Sequence, residues 1–178
     1  MDSRFDFAIA GAGMAGASLA AELTAGGARV LLIEAESLPG YHATGRSAAF
    51  WTESYGGPAI QPLTAASRPA LDAGGYLTAR GALTLAQAGQ EAGLAAFVTR
   101  YAALGVAVET LDRTAVAARV PGLRDRWVAG AFEPSCCDID VARLHQDCLA
   151  AARRGGADLW TVARLTGAER AGGDWALA

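Results

Sequence analysis

The sequence predicts an α/β fold organised on parallel strands, and three observations near its beginning predict it. Phe5, Phe7, Ala8, Ile9 and Ala10 form a short apolar run that leads directly into Gly11, with Gly13 and Gly16 close behind. Residues from Met14 to about Leu23 then carry an unbroken helical pattern, which Gly26 and Gly27 stop. Arg29 to Ile33 is a second apolar run, and the residue that closes it is Glu34. Strand, glycine turn, helix and strand in that order make a βαβ unit with parallel strands.

The spacing of the glycines gives this unit a chemistry. Gly11 allows a tight turn, Gly13 lets a backbone approach a pyrophosphate with no side chain between, and Gly16 lets the helix lie close on the strand. The start of the helix then offers N–H groups and the positive end of its dipole to phosphate. Glu34 stands near the roughly 20-residue spacing at which an acid accepts hydrogen bonds from a ribose. This Rossmann-like reading makes Gly11, Ala12, Gly13, Met14, Ala15, Gly16, Glu34 and Ala35 the candidate nucleotide-binding residues. A turn that merely packs helix on strand would account for the glycines and not for the acid. An acid here favours the unphosphorylated ribose of NAD or FAD over that of NADP, and does not separate the first two.

Composition narrows the class. Hydrophobic residues at 52% and charged residues at 19% describe a globular chain and exclude a disordered one. A net charge of −3 provides no basic face for nucleic acid. No apolar run approaches the ~20 residues that span a bilayer. The opening MDSRFDF lacks the charged and apolar regions of a signal peptide, so a cytoplasmic location is expected. Cys136, Cys137 and Cys148 are too few and wrongly spaced for a zinc site or a disulfide framework. They are read as reduced, mostly buried thiols; a bond between Cys136 and Cys137 is the strained alternative. With only His42 and His145 in the chain, no metal site and no cysteine–histidine catalytic pair is expected.

After Glu34, residues 35–50 (AESLPGYHATGRSAAF) carry Pro39, Gly40 and Gly45 and predict a loop that turns back toward the nucleotide. The segment GYHATGRSAAFWTESYG within and after it resembles the FAD-dependent D-amino-acid oxidase family, and in particular its D-arginine dehydrogenase-like branch. The resemblance implies FAD as cofactor, with Ala43, Thr44, Gly45, Arg46, Ser47, Ala48 and Ala49 lining its ring and pyrophosphate. Small residues allow close backbone approach, Thr44 and Ser47 add hydroxyls, and Arg46 could neutralise phosphate or reduced flavin. The fold implied is a glutathione-reductase-type FAD-binding domain with the start of an interleaved α+β substrate-binding domain.

The remaining elements follow in order. Ile60, Leu63, Ala66 and Leu71 have helical spacing, and Pro69 predicts that this helix breaks. Leu77 to Leu85 alternates as a strand, with a bend at Gly81. Leu94, Phe97, Val98, Tyr101 and Leu104 share one face of a helix over 91–104, and a strand follows at 106–111. Asp112 caps a short helix that Pro121 and Gly122 end, and LDRTAVAARVPGL again resembles the family. A strand is expected at 127–132. Asp140 then caps a helix with Val141, Leu144, Cys148, Leu149 and Ala152 on one face. His145 on that helix is read as a packing residue. Ala157 to Thr161 reads as a third parallel strand beside the second, and 164–170 with 175–178 as a hairpin.

These elements divide the chain into a first part of the FAD-binding domain at 1–76, a partial substrate-binding domain at 77–137, and a return to the FAD-binding domain at 138–178. Family members are expected to run to about twice this length. The chain therefore reads as an N-terminal fragment, inactive alone, with the arginine and tyrosine that hold the substrate carboxylate lying beyond Ala178.

The implied reaction is oxidation of the C–N bond of an amino acid to an imino acid, with oxygen or a quinone as final acceptor. Tyr55 matches an active-site tyrosine of the family. Two positions depart from the D-arginine dehydrogenase pattern: Phe50 stands where that type has an active-site histidine, and Ala82, after Arg80 and Gly81, stands where it has the acid that recognises a cationic side chain. A guanidinium without that acid would be buried unpaired at high cost, so a D-amino acid with a neutral or apolar side chain is expected. Two other readings compete: a NAD-dependent dehydrogenase, which leaves the GYHATGRSAAF segment without a role, and a truncated nucleotide-binding remnant without activity. A yellow chromophore on purification separates the first from a flavoprotein.

Overall fold

The computed structural model describes residues 4–178. In chain order the elements are β1 (Phe7–Ala10), α1 (Met14–Ala25), β2 (Val30–Ile33), α2 (Ala43–Arg46), β3 (Phe50–Trp51) and α3 (Gln61–Ala73). Next come β4 (Leu77–Ala79), β5 (Ala82–Gln87), α4 (Glu91–Ala102), β6 (Glu109–Asp112), α5 (Arg113–Arg119) and β7 (Trp127–Glu133). The last are β8 (Cys137–Ile139), α6 (Val141–Arg154), β9 (Asp158–Trp160), β10 (Ala168–Ala171) and β11 (Asp174–Leu177). They form two compact units, one of residues up to Ala48 together with Val141–Ala178, the other of Ala49–Asp140.

The first unit holds a parallel sheet in the order β1-β2-β9, with Ala8 opposite Leu31 and Leu32 opposite Leu159. The third strand thus lies beside the second, as the apolar run after Gly156 implies. Alternation along the strands sorts the side chains. Ile9, Val30 and Leu32 pack with Ala20 of α1 and Ala152 of α6, while Ala8, Ala10, Leu31 and Ile33 face a cavity of about 1200 Å³ shared with Trp160 of β9 and Trp175 of the β10–β11 hairpin. None of the glycine-turn residues lines that cavity, so its size does not mark the nucleotide site.

The second unit has two three-stranded sheets, β5-β7-β6 and β3-β8-β4, both antiparallel. Leu94 of α4 packs on Ala86 and Ala131, with Phe97 and Val98 around them. Asp112 caps α5 as its sequence signature requires, accepting the Ala115 N–H at 2.8 Å.

Four local expectations change. The 77–85 segment is two strands in different sheets, because the chain turns at Gly81 (φ +76°). The strands β3 and β8 are too short for alternation to reveal them. The loop after Glu34 contains one helical turn, α2, tied by the Gly45 N–H to the Gly40 carbonyl at 2.8 Å. Finally, α3 runs through Pro69 without breaking. Only the Ala65 carbonyl loses its helical donor there, and Arg68 braces the adjoining turns from its side chain. It donates to Asp72 at 2.7 Å and to the Ser135 carbonyl at 3.1 Å, with its guanidinium 4.5 Å from the Trp51 ring centroid.

Candidate functional site

The glycine turn sits at the C-terminal end of β1, where open α/β sheets bind ligands. Gly11 has φ +94°, a region other residues rarely enter, and its N–H donates to the Ile33 carbonyl at 2.7 Å. A Cβ on Gly16 would lie 1.9 Å from the Gly11 carbonyl oxygen, so the close seating of α1 depends on that hydrogen. Gly13 is the N-cap of α1, and a Cβ there would approach Thr44 Oγ1 to 3.1 Å.

Glu34 reaches back across this turn. Its Oε2 accepts the Ala12 N–H and its Oε1 the Glu36 N–H, both at 2.9 Å, and the residue is 8% exposed. Burial alone would push its carboxyl up, but the N–H groups of Glu36, Ala12 and Ala35 outweigh it and hold the group below the usual glutamate range. The carboxylate is therefore ionised at neutral pH and keeps lone pairs for further donors.

Thr44 brings the second predicted segment to the first, its Oγ1 accepting the Met14 N–H at 2.9 Å. With Met14 so engaged, and the Ala12 N–H on Glu34, the N–H groups of Gly13, Ala15 and Gly16 have no acceptor among the described residues. No acid stands in the first turn of α1. Three donors at the start of a twelve-residue helix, beside a carboxylate suited to ribose hydroxyls, fit a dinucleotide pyrophosphate with its adenosine sugar.

The other predicted residues are placed as follows. Gly45 and Arg46 belong to α2; the Arg46 guanidinium lies 4.7 Å from the Tyr41 ring centroid and its Nε donates to the Tyr41 carbonyl at 3.2 Å. Ala43, Ser47 and Ala48 are exposed in the same unit. Ala49, Phe50 and Tyr55 belong to the second unit. There the Ala49 carbonyl accepts the Ile139 N–H at 2.9 Å, Phe50 lies under the Arg80 guanidinium at 4.2 Å, and Tyr55 is 76% exposed. Arg80 also pairs with Asp138 at 2.9 Å.

Sequence reasoning missed the residue that fixes the stretch before Tyr55. Glu133, last in β7, is 2% exposed. It accepts from the Thr52 hydroxyl at 2.9 Å, the Glu53 N–H at 2.8 Å, the Ser54 N–H at 3.3 Å, the Ser135 hydroxyl at 3.2 Å, and the Ser54 hydroxyl. The signal was an acid ending an otherwise apolar strand, the same signal that singles out Glu34. All three cysteines are free thiols. Burial pushes Cys136 and Cys148 up, which keeps both protonated and poor nucleophiles.

Fold and turn together define an α/β protein whose glycine turn has the geometry of a dinucleotide site. The chain belongs to the FAD-dependent oxidoreductase family DAO, whose model matches residues 6–178. Its fold is similar to that of glycine oxidase from Geobacillus kaustophilus (23% identity, TM-score 0.84, 98% of this chain and 51% of that one). It is also similar to L-α-glycerophosphate oxidase from Mycoplasma pneumoniae, solved with FAD bound (16%, 0.85, 97% and 49%), and to L-proline dehydrogenase from P. horikoshii (18%, 0.81, 95% and 47%). The chain spans about half the length of these structures. The cofactor is FAD, which sets aside the nicotinamide reading. Among the described residues, no helix is long and apolar enough to cross a membrane.

Proposed function

We propose that the protein oxidises the C–N bond of an amino acid, a D-amino acid with a neutral or apolar side chain, and that the 178-residue chain supplies the adenosine and pyrophosphate end of the flavin site. The observation that carries the reading is the set of unengaged N–H groups on Gly13, Ala15 and Gly16 with Glu34 folded over the turn. Bound FAD supplies the electron sink that takes a hydride from the substrate. Gly11, Gly13 and Gly16 admit the pyrophosphate, Ala12, Met14 and Ala15 frame it, and Glu34 with Ala35 receives the ribose. The segment Ala43, Thr44, Gly45, Arg46, Ser47, Ala48 and Ala49 lines the ring and the pyrophosphate. Residues 77–137 form the substrate-binding part, between FAD-binding stretches at 1–76 and 138–178, in a cytoplasmic enzyme using oxygen or a quinone.

Within this reading Tyr55 and Phe50 contact the substrate, and the neutral side-chain preference has physical support. Asp138, an acid on the strand paired with Phe50, already holds Arg80, and Arg80 covers the Phe50 ring. A substrate guanidinium would meet a cation there and no spare carboxylate. Steady-state rates on the full-length protein test the proposal: kcat/KM for D-leucine or D-methionine should exceed that for D-arginine. The reverse preference overturns it, and faster turnover of the L-isomers overturns the assignment of hand.

A further inference from the structure

Ala12, between the first two glycines of the turn, has both backbone groups held by side chains distant in sequence. Its N–H goes to Glu34, and its carbonyl lies 2.7 Å from Nε2 of His145 on α6. A carbonyl only accepts, so Nε2 carries the proton and donates. His145 is 6% exposed, and no carboxylate is among its partners in the described residues. Its ring lies against Gly40, where a Cβ would come within 2.9 Å of Cε1. Gly40 in turn accepts the N–H of Gly45, next to the Thr44 that receives the Met14 N–H.

A histidine that only filled space would carry a needless cost, because a buried N–H is unfavourable unless paired. The pairing acts on one particular peptide plane. The Ala12 carbonyl and the Gly13 N–H belong to the same rigid trans peptide and point in opposite directions. Fixing the carbonyl on His145 therefore fixes the direction of the Gly13 N–H, one of the three donors left for phosphate. Donation into the carbonyl also polarises the peptide and strengthens that N–H as a donor.

We propose that His145 is a positioning residue for the FAD pyrophosphate: its Nε2–H holds the Ala12 carbonyl so that the Gly13 N–H is presented to the phosphate. The proposal rests on the dinucleotide reading of the site, and its test separates the two. FAD titration by flavin fluorescence on the full-length protein should show affinity falling about tenfold in His145→Leu, the loss of one well-placed hydrogen bond. His145→Gln, whose amide N–H can reach the same carbonyl, should stay within about threefold of the parent. In unliganded protein the Gly13 amide resonance should shift in His145→Leu and return toward the parent position in His145→Gln.

Unchanged affinity and an unmoved Gly13 amide in a folded His145→Leu overturn the proposal. So does a His145→Gln that behaves like His145→Leu, which would make the ring a filler. Where His145→Leu does not fold, imidazole ¹⁵N shifts of the parent protein decide: a proton on Nε2 supports the proposal, and the neutral Nδ1–H tautomer overturns it. A full-length parent protein that takes up no FAD sinks the dinucleotide reading, while the Gly13 amide and the tautomer still judge His145.

Discussion

Glu34 and Glu133 are the same residue type at the same kind of place, the end of a buried strand, and they do opposite things. Glu34 accepts from the N–H groups of Ala12 and Glu36, with the Ala35 N–H also favouring its charged form, whereas Glu133 accepts from two N–H groups and three hydroxyls. A carboxylate offers roughly four acceptor positions. Glu133 is saturated by its own chain and can only organise structure, holding residues 52–54. Glu34 keeps capacity for hydroxyl groups brought by a ligand. Both acids are buried, so burial does not separate the role proposed for Glu34 from the structural one of Glu133; the number of donors already present does.

Substitutions break or sharpen this contrast, the largest effect first. Gly16→Ala forces a Cβ onto the Gly11 carbonyl that Glu34's turn depends on, and should cost about 3 kcal/mol or more in urea unfolding, with FAD uptake lost. Glu133→Ala leaves buried hydroxyls and N–H groups without an acceptor and should cost about 3 kcal/mol, read as a shift of the denaturation midpoint. If FAD affinity of that variant fell as steeply as its stability, the division between a structural and a binding acid would fail.

Glu34→Gln should have the reverse profile, with about 1 kcal/mol of stability lost and FAD affinity reduced about tenfold in fluorescence titration. Its acid behaviour has a defined sign. The folded-state carboxyl lies below the ordinary value, so its contribution is complete above about pH 5 and is lost as pH falls through the depressed value. The stability gap between parent and Glu34→Gln should therefore narrow on acidification. The smallest effect is expected from Asp112→Ala, an exposed cap accepting a single N–H, at about 1 kcal/mol by thermal unfolding.

What could be read from the chain alone follows from range. The βαβ unit was legible because its signals are local: an apolar run, glycines at fixed offsets, and an acid at the close of the next run. The Asp112 cap was legible for the same reason. The engagement of Glu133 was not, because Thr52, Ser54 and Ser135 carry no periodicity and meet the acid only through the pairing of distant strands. Pro69 misled because propensity prices one lost bond and ignores the guanidinium bracing of Arg68. His145 reads as packing in the sequence because α6 shows its apolar face there, while the Ala12 carbonyl it meets lies at the far end of the chain.

The pairing of β2 with β9 carries a kinetic consequence. Leu31 can find Asp158 only after everything from Glu34 to Ala157 has been gathered between them, Ala49–Asp140 included. Closing so long a span costs entropy that the two strands recover only late, which slows folding. Prior collapse of the inserted residues shortens the effective span, so refolding should proceed from the inside outward. A mutation that loosens the insert would then delay completion of a sheet to which it contributes no strand.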